Sequence, residues 1–183
     1  MGLPTSIRDE FSRTTCGCQQ CVACCRHMPG SLAPGDLPLI LEHQLGPDST
    51  MDETAAWFLD NFQASDGAKA VTVVNGVPAL FQIPTIVPRL TEQGCVFLKE
   101  GKCSIHPVAP FACAHLDPHM SEEDADQRAR ALVMSQLQAW QQDGSYAEAW
   151  RYLHENGRRA TPLAERKAAV EAAFTALERK TDG

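Results

Sequence analysis

Five cysteines fall within ten residues: Cys16, Cys18, Cys21, Cys24 and Cys25. Three more follow at Cys95, Cys103 and Cys113, and none comes after them. Thiolates are soft ligands that suit zinc, copper(I) and iron–sulfur clusters. Metal binding deprotonates them, which helps hold several sulfurs close together. Cys18, Cys21, Cys24 and Cys25 form C-x2-C-x2-C-C. On a helix these four positions span about 120° of the circumference. A short helix, or a turn leading into one, can therefore aim all four thiols at one point. A buried cysteine acting as a small hydrophobe suits a single position such as Cys16 or Cys95. It poorly explains five flanked by Gln19, Gln20 and Arg26.

The second group reads Cys95-x7-Cys103-x2-His106, then Cys113-x-His115. Cys103 and His106 are spaced to point one way after a tight turn, and Pro107 stiffens the chain behind them. A ligand set drawn from both groups would lock the N-terminal cluster onto the middle of the fold. Four thiolates close a tetrahedral zinc site. The neighbours Cys24 and Cys25 fit one ion poorly. Cys18, Cys21 and Cys24 have iron–sulfur spacing, with Cys103 or Cys113 as a remote fourth ligand. Seven thiols exceed the need of one site, so two sites exist or some cysteines are structural or catalytic. An iron–sulfur cluster is preferred, with zinc as the alternative.

The histidines are less specific. His115 and His119 stand four apart around Asp117. Pro118 interrupts a helix there, and the Glu of a zinc-protease motif is absent. His119 is expected to be a surface or structural residue. His106 and His115 are open as extra ligands. His27 is placed to hydrogen-bond a sulfur.

The run Cys18-Gln-Gln-Cys21-Val-Ala-Cys24-Cys25-Arg26 resembles the signature of the zinc- or iron-chelating cysteine-cluster family (CxxCxxCC, YkgJ-like). The resemblance continues in Leu32-Ala-Pro-Gly-Asp36-Leu37, Cys95-Val-Phe-Leu98, Cys103-Ser-Ile-His106-Pro107 and Pro110-Phe-Ala-Cys113. It covers about residues 16–120. It implies metal chelation by Cys18, Cys21, Cys24, Cys25, Cys95, Cys103 and Cys113. Cys16 lies outside the signature, and Ala23 stands where the family often has Gly. The resemblance implies no particular reaction. A similar cysteine cluster occurs in flagellin lysine methylases, which keeps a modification enzyme among the alternatives.

The elements that position these residues are legible in outline. Asp36 is placed to cap a helix through Leu37, Ile40, Leu41 and Leu45, stopped by Gly46-Pro47. Ala55, Phe58, Leu59 and Phe62 share one face of a helix over about 52–64. Two β-rich runs flank Asn75-Gly76, a hairpin with a type I′ turn, and Pro78 marks its second run as an edge. Prolines at 84, 88, 107, 110 and 118 break the middle of the chain into loops and short helices. From Ser121 the pattern is helical, with stripes through Leu132, Leu137 and Trp140, then Tyr146, Trp150 and Leu153. Thr161 and Pro162 open a last helix striped by Leu163, Val170, Phe174 and Leu177. Trp57, Trp140 and Trp150 read as core residues. Arg158, Arg159, Arg166 and Lys167 read as a solvated face. The expected fold is α+β and mainly α-helical. It has a cysteine-cluster domain over residues 1–120 and a helical extension over 121–183.

The composition bounds the function. The chain has 183 residues, a net charge of −7 and 44% apolar residues, enough for a core. The acidic balance argues against broad nucleic-acid binding, which needs basic residues to neutralise phosphates. No apolar run is long enough to span a bilayer, and none near the N-terminus reads as a secretory signal. Gly2 with Ser6 matches the myristoylation pattern only loosely. A cytoplasmic location is expected, where thiols stay reduced and disulfides are disfavoured. Three functions are compatible: a metal- or cluster-binding protein, a metal-dependent enzyme acting on a peptide or small substrate, and an interaction module stapled by zinc. The sequence names no protein partner.

Overall fold

The computed structural model describes residues 6–14, 17–74 and 76–181. Gly2, Cys16 and Asn75 lie outside the described residues. In chain order the elements are α1 (Ile7–Glu10), α2 (Gln19–His27), α3 (Asp36–Leu45), α4 (Met51–Asn61), β1 (Phe62–Val74) and β2 (Val77–Pro88). Four two-residue strands follow: β3 (Leu90–Thr91), β4 (Gly94–Cys95), β5 (Leu98–Lys99) and β6 (Lys102–Cys103). A 3-10 turn at His106–Val108 leads to α5 (Phe111–His115), α6 (Glu122–Gln141), α7 (Ser145–Glu155) and α8 (Leu163–Thr181). The chain is thus mainly helical α+β, with sheets of two antiparallel strands each.

The helix starts follow side-chain chemistry. Thr50 and Glu53 form a reciprocal capping box on α4, and Ser121 caps α6 through the Asp124 N–H, so orphan N–H groups gain acceptors. Asp36 does not cap α3 as expected. Gly35 holds the cap position, and Asp36 is the first helical residue, fully buried. Its carboxylate accepts the N–H of Ala33 at 2.7 Å and of Phe111 at 2.6 Å, and pairs with Arg8. Those partners lie outside α3, so the carboxylate joins three segments rather than ending one.

The hairpin is longer than its sequence signal. It runs from Phe62↔Pro88 to Val74↔Val77, with a register shift between Ser65 and Ala68. The helix expected over 52–64 stops at Asn61, and Phe62 and Ala64 are strand residues. Tertiary pairing overrides the helical period there. Phe62 turns to extended backbone. Ala64 donates to Arg158 O at 2.7 Å and accepts from the Ala160 N–H at 2.8 Å.

The core lies between the proximal hairpin, α3, α4 and α7, where Leu32, Ile40, Phe58, Phe62, Ile86, Phe97 and Leu153 are buried together. Tyr146 reaches into it. Its hydroxyl accepts the Ile86 N–H and donates to Leu32 O, each at 3.0 Å. Trp57 packs against this core, and Trp140 and Trp150 meet edge to face at 5.5 Å. Arg166 departs from the expected solvated face. It is buried, and donates to Ser65 Oγ and Thr161 O. Its long stem belongs to the inward stripe of α8, and the two oxygens satisfy its buried head.

Candidate metal centre

Helix α2 carries the first cysteine group, and its ends explain how the thiols are distributed. Cys18 sits at the N-cap, with its Sγ accepting the Cys21 N–H at 3.4 Å. The helix closes with the Met28 N–H on Cys24 O at 2.7 Å. Cys18 therefore lies before the first turn, while Cys24 and Cys25 lie inside the last two turns. The strand pair β3–β4 lies against α2. Gly94, with φ +112°, makes this approach possible, because a Cβ there would sit 3.0 Å from Arg26 Cα. The next residue, Cys95, is buried against the same core face that takes Cys25 and Cys103.

Cys95 and Cys103 end strands β4 and β6, where the chain turns. The backbone N–H groups of Phe97 and Leu98 favour the charged form of the Cys95 sulfur, and that of Ile105 favours it for Cys103. Cys113 lies on α5, where its Sγ accepts the Gly30 N–H at 3.2 Å. A Cβ at Gly30 would come within 2.8 Å of that sulfur and 2.7 Å of Cys113 N. Only a glycine allows the chain after α2 to lie this close to α5.

These placements bring Cys25, Cys95, Cys103 and Cys113 within electrostatic reach of one another. Burial pushes the Cys25 thiol up to about 11, and its neighbours Cys103 and Cys24 add to the rise. Burial pushes Cys95 up to about 12 against the pull of the Phe97 N–H. Cys103 is also raised by burial, opposed by the Ile105 N–H. Cys113 is raised well above the ordinary thiol range, first by burial and then by Cys25 and Cys95. Four thiols raised by burial, three of them beside backbone N–H groups, suit a cation that replaces their protons.

Cys18 and Cys21 form a second pair, and Cys24 stands between it and Cys25. Cys18 Sγ and Cys21 Sγ are 3.7 Å apart, and Cys24 feels the charge of Cys18. Two thiolates on one tetrahedral zinc would stand about 3.8 Å apart, given zinc–sulfur bonds near 2.3 Å. Among the described residues, no three His, Cys, Asp or Glu side chains converge on one ion-sized point. The seven thiols are thus laid out as two neighbourhoods, with Cys24 within electrostatic reach of Cys18 in one and of Cys25 in the other. The donor chemistry of both fits a soft metal.

His119 is the residue the sequence undervalued. Its Nε2 lies 3.3 Å from Cys18 Sγ. Asp117 holds it there by accepting the His119 N–H at 2.8 Å, and Thr14 donates its hydroxyl to the same carboxylate. No local motif links positions 18 and 119; only the placement of the loop after α5 does. The other histidines stand apart. His106 is exposed. His115 is buried, stacks on Phe111 at 4.5 Å, and places Nδ1 3.2 Å from Ser12 O. His27 lines a groove between α2 and α8.

A family model described as a putative zinc- or iron-chelating domain matches residues 17–138. The chain belongs to the CxxCxxCC family. The match takes in both cysteine groups and most of α6, so the family unit includes the loop that carries His119. Membership makes this a metal-chelating chain, of the zinc or iron class. No curated protein and no solved structure matches it. No described helix is long and apolar enough to cross a membrane.

Proposed function

We propose that Cys25, Cys95, Cys103 and Cys113 form a thiolate centre that holds an iron–sulfur cluster. One observation carries this reading: Cys25 of α2, Cys95 of β4 and Cys103 of β6 pack on one face of the core, and Cys113 of α5 lies against Gly30, just after α2. The Gly30 N–H donates to Cys113 Sγ, and backbone N–H groups favour the charged form of Cys95 and Cys103. Such donors favour thiolate charge and tune a bound centre. The four do not converge on one ion-sized point, and a cluster spans such a spread more readily than a single ion. When bound, a cluster would supply one-electron transfer and would staple α2 to α5. The site calls for a reducing compartment, as a cytoplasmic chain would have.

Anaerobic purification without chelators tests the choice of occupant. Iron with matching acid-labile sulfide, and broad absorbance near about 400 nm, are expected. Colourless protein with stoichiometric zinc and no sulfide would overturn the cluster and leave a structural zinc centre.

A further inference from the structure

Cys18 belongs to the chelating signature, and its sulfur is also met by a side chain from outside that signature. Cys18 takes the N-cap of α2 and its sulfur accepts the Cys21 N–H at 3.4 Å. His119 Nε2 stands 3.3 Å from the same sulfur, on a loop 101 residues further on. The imidazole is exposed, so burial does not hold it there. Hydrogen bonds hold its loop. Asp117 Oδ1 accepts the His119 N–H at 2.8 Å, and the Met120 N–H donates to Asp117 O at 3.3 Å. Thr14 ties this turn to the N-terminal segment. Its N–H donates to Ala114 O at 2.8 Å, and its hydroxyl donates to Asp117 Oδ2. The Thr14 hydroxyl, then the His119 N–H, keep the Asp117 carboxyl below the usual carboxylate range. The loop that carries the imidazole is thus fastened four residues ahead of Cys18.

A metal-bound thiolate has given up its proton, so its contact with a ring nitrogen is N–H to sulfur. Among the described residues, no three donor side chains converge on one ion-sized point. That favours a role for the imidazole at the sulfur over one at the metal. We propose that His119 Nε2–H is the hydrogen-bond donor to the metal-bound Cys18 thiolate, a positioning residue that slows loss of metal from the first cysteine group. Such a donor stabilises the thiolate charge and fixes the orientation of the ligand. The Cys21 N–H supplies the second donor from the helix start. The proposal rests on chelation by the first cysteine group and not on the occupant of the quartet.

The test uses the full chain loaded with zinc, and a chromogenic chelator that traps the zinc as it leaves. Cys18→Ser identifies the release phase that belongs to the first cysteine group. His119→Ala should speed that phase about tenfold and leave any other phase unchanged. His119→Gln keeps an N–H donor and should return most of the native rate. In the cobalt(II)-loaded chain, the thiolate-to-metal absorption should move to lower energy in His119→Ala and stay in place in His119→Gln. Native release and native absorption in His119→Ala would overturn the proposal. So would loss of bound metal from both His119 variants alike, since that result makes the imidazole a ligand. Release from Cys18→Ser identical to that of the native chain would take this sulfur off the metal and overturn it too. Iron and sulfide in the anaerobically purified native protein report on the quartet separately.

Discussion

The Gly30 N–H donates to Cys113 Sγ over 3.2 Å, and this contact joins the chain leaving α2 to the helix that ends the cysteine pattern. A side chain at residue 30 would meet Cys113 N and Ala112 C as well as the sulfur. Backbone cannot rotate away as a flexible side chain can. Gly30→Ala should therefore push α5 outward and cost about 1–3 kcal/mol of stability. Urea denaturation of the metal-free chain would show it, and the loaded protein should hold less metal. An unchanged midpoint and unchanged metal would mean that the two segments are not coupled in this way.

Asp36 makes a different kind of joint, between Arg8, Ala33 and Phe111. Asp36→Ala leaves a buried guanidinium and two N–H groups without their acceptor. A loss of about 3–5 kcal/mol is expected. The thermal midpoint of the variant should fall accordingly, while a shift within error would deny the joint its role.

The same carboxylate gives a pH signature. Burial raises its pKa above the ordinary 3.8, although the Phe111 N–H and Arg8 pull it down. A raised value means that the folded state binds the proton more tightly than the unfolded chain does. The stability this adds is complete below 3.8 and is lost as pH rises through the raised value. The stability difference between the native chain and Asp36→Asn should therefore shift in favour of the native chain as pH falls from neutral. Urea midpoints of both proteins across that range would show this. A shift in favour of Asp36→Asn on acidification would contradict it.

Tyr146→Phe isolates one buried hydroxyl. It removes the acceptor of the Ile86 N–H and one donor to Leu32 O, while Gln136 still donates to Leu32 O at 2.8 Å. An orphaned buried N–H costs about 1–3 kcal/mol. Hydrogen exchange at Ile86 should speed up with that loss. An unaltered exchange rate would show that the N–H has another route to satisfaction.

The sequence carried the helices well because their caps and stripes are local. Asp36–Leu45, Glu122–Gln141 and Ser145–Glu155 lie close to their periodic patterns. Phe62 misled because it continues a helical stripe, yet its backbone pairs with Pro88, as that of Ala64 pairs with Ile86. Arg166 misled because charge is a local property and burial is not. The thiols were legible as a group. Their division was not, because it depends on where β4 and α5 land against α2. The pairing of Cys18 with His119 spans about a hundred residues and leaves no spacing signal.

The central claim is that Cys25, Cys95, Cys103 and Cys113 hold the metal. Its most direct test is metal content per chain in anaerobically purified single Cys→Ser variants, each checked for folding by circular dichroism. Serine at any of these four positions should lower the bound metal several-fold. Full metal in the four variants, with metal lost in Cys18→Ser, would contradict it.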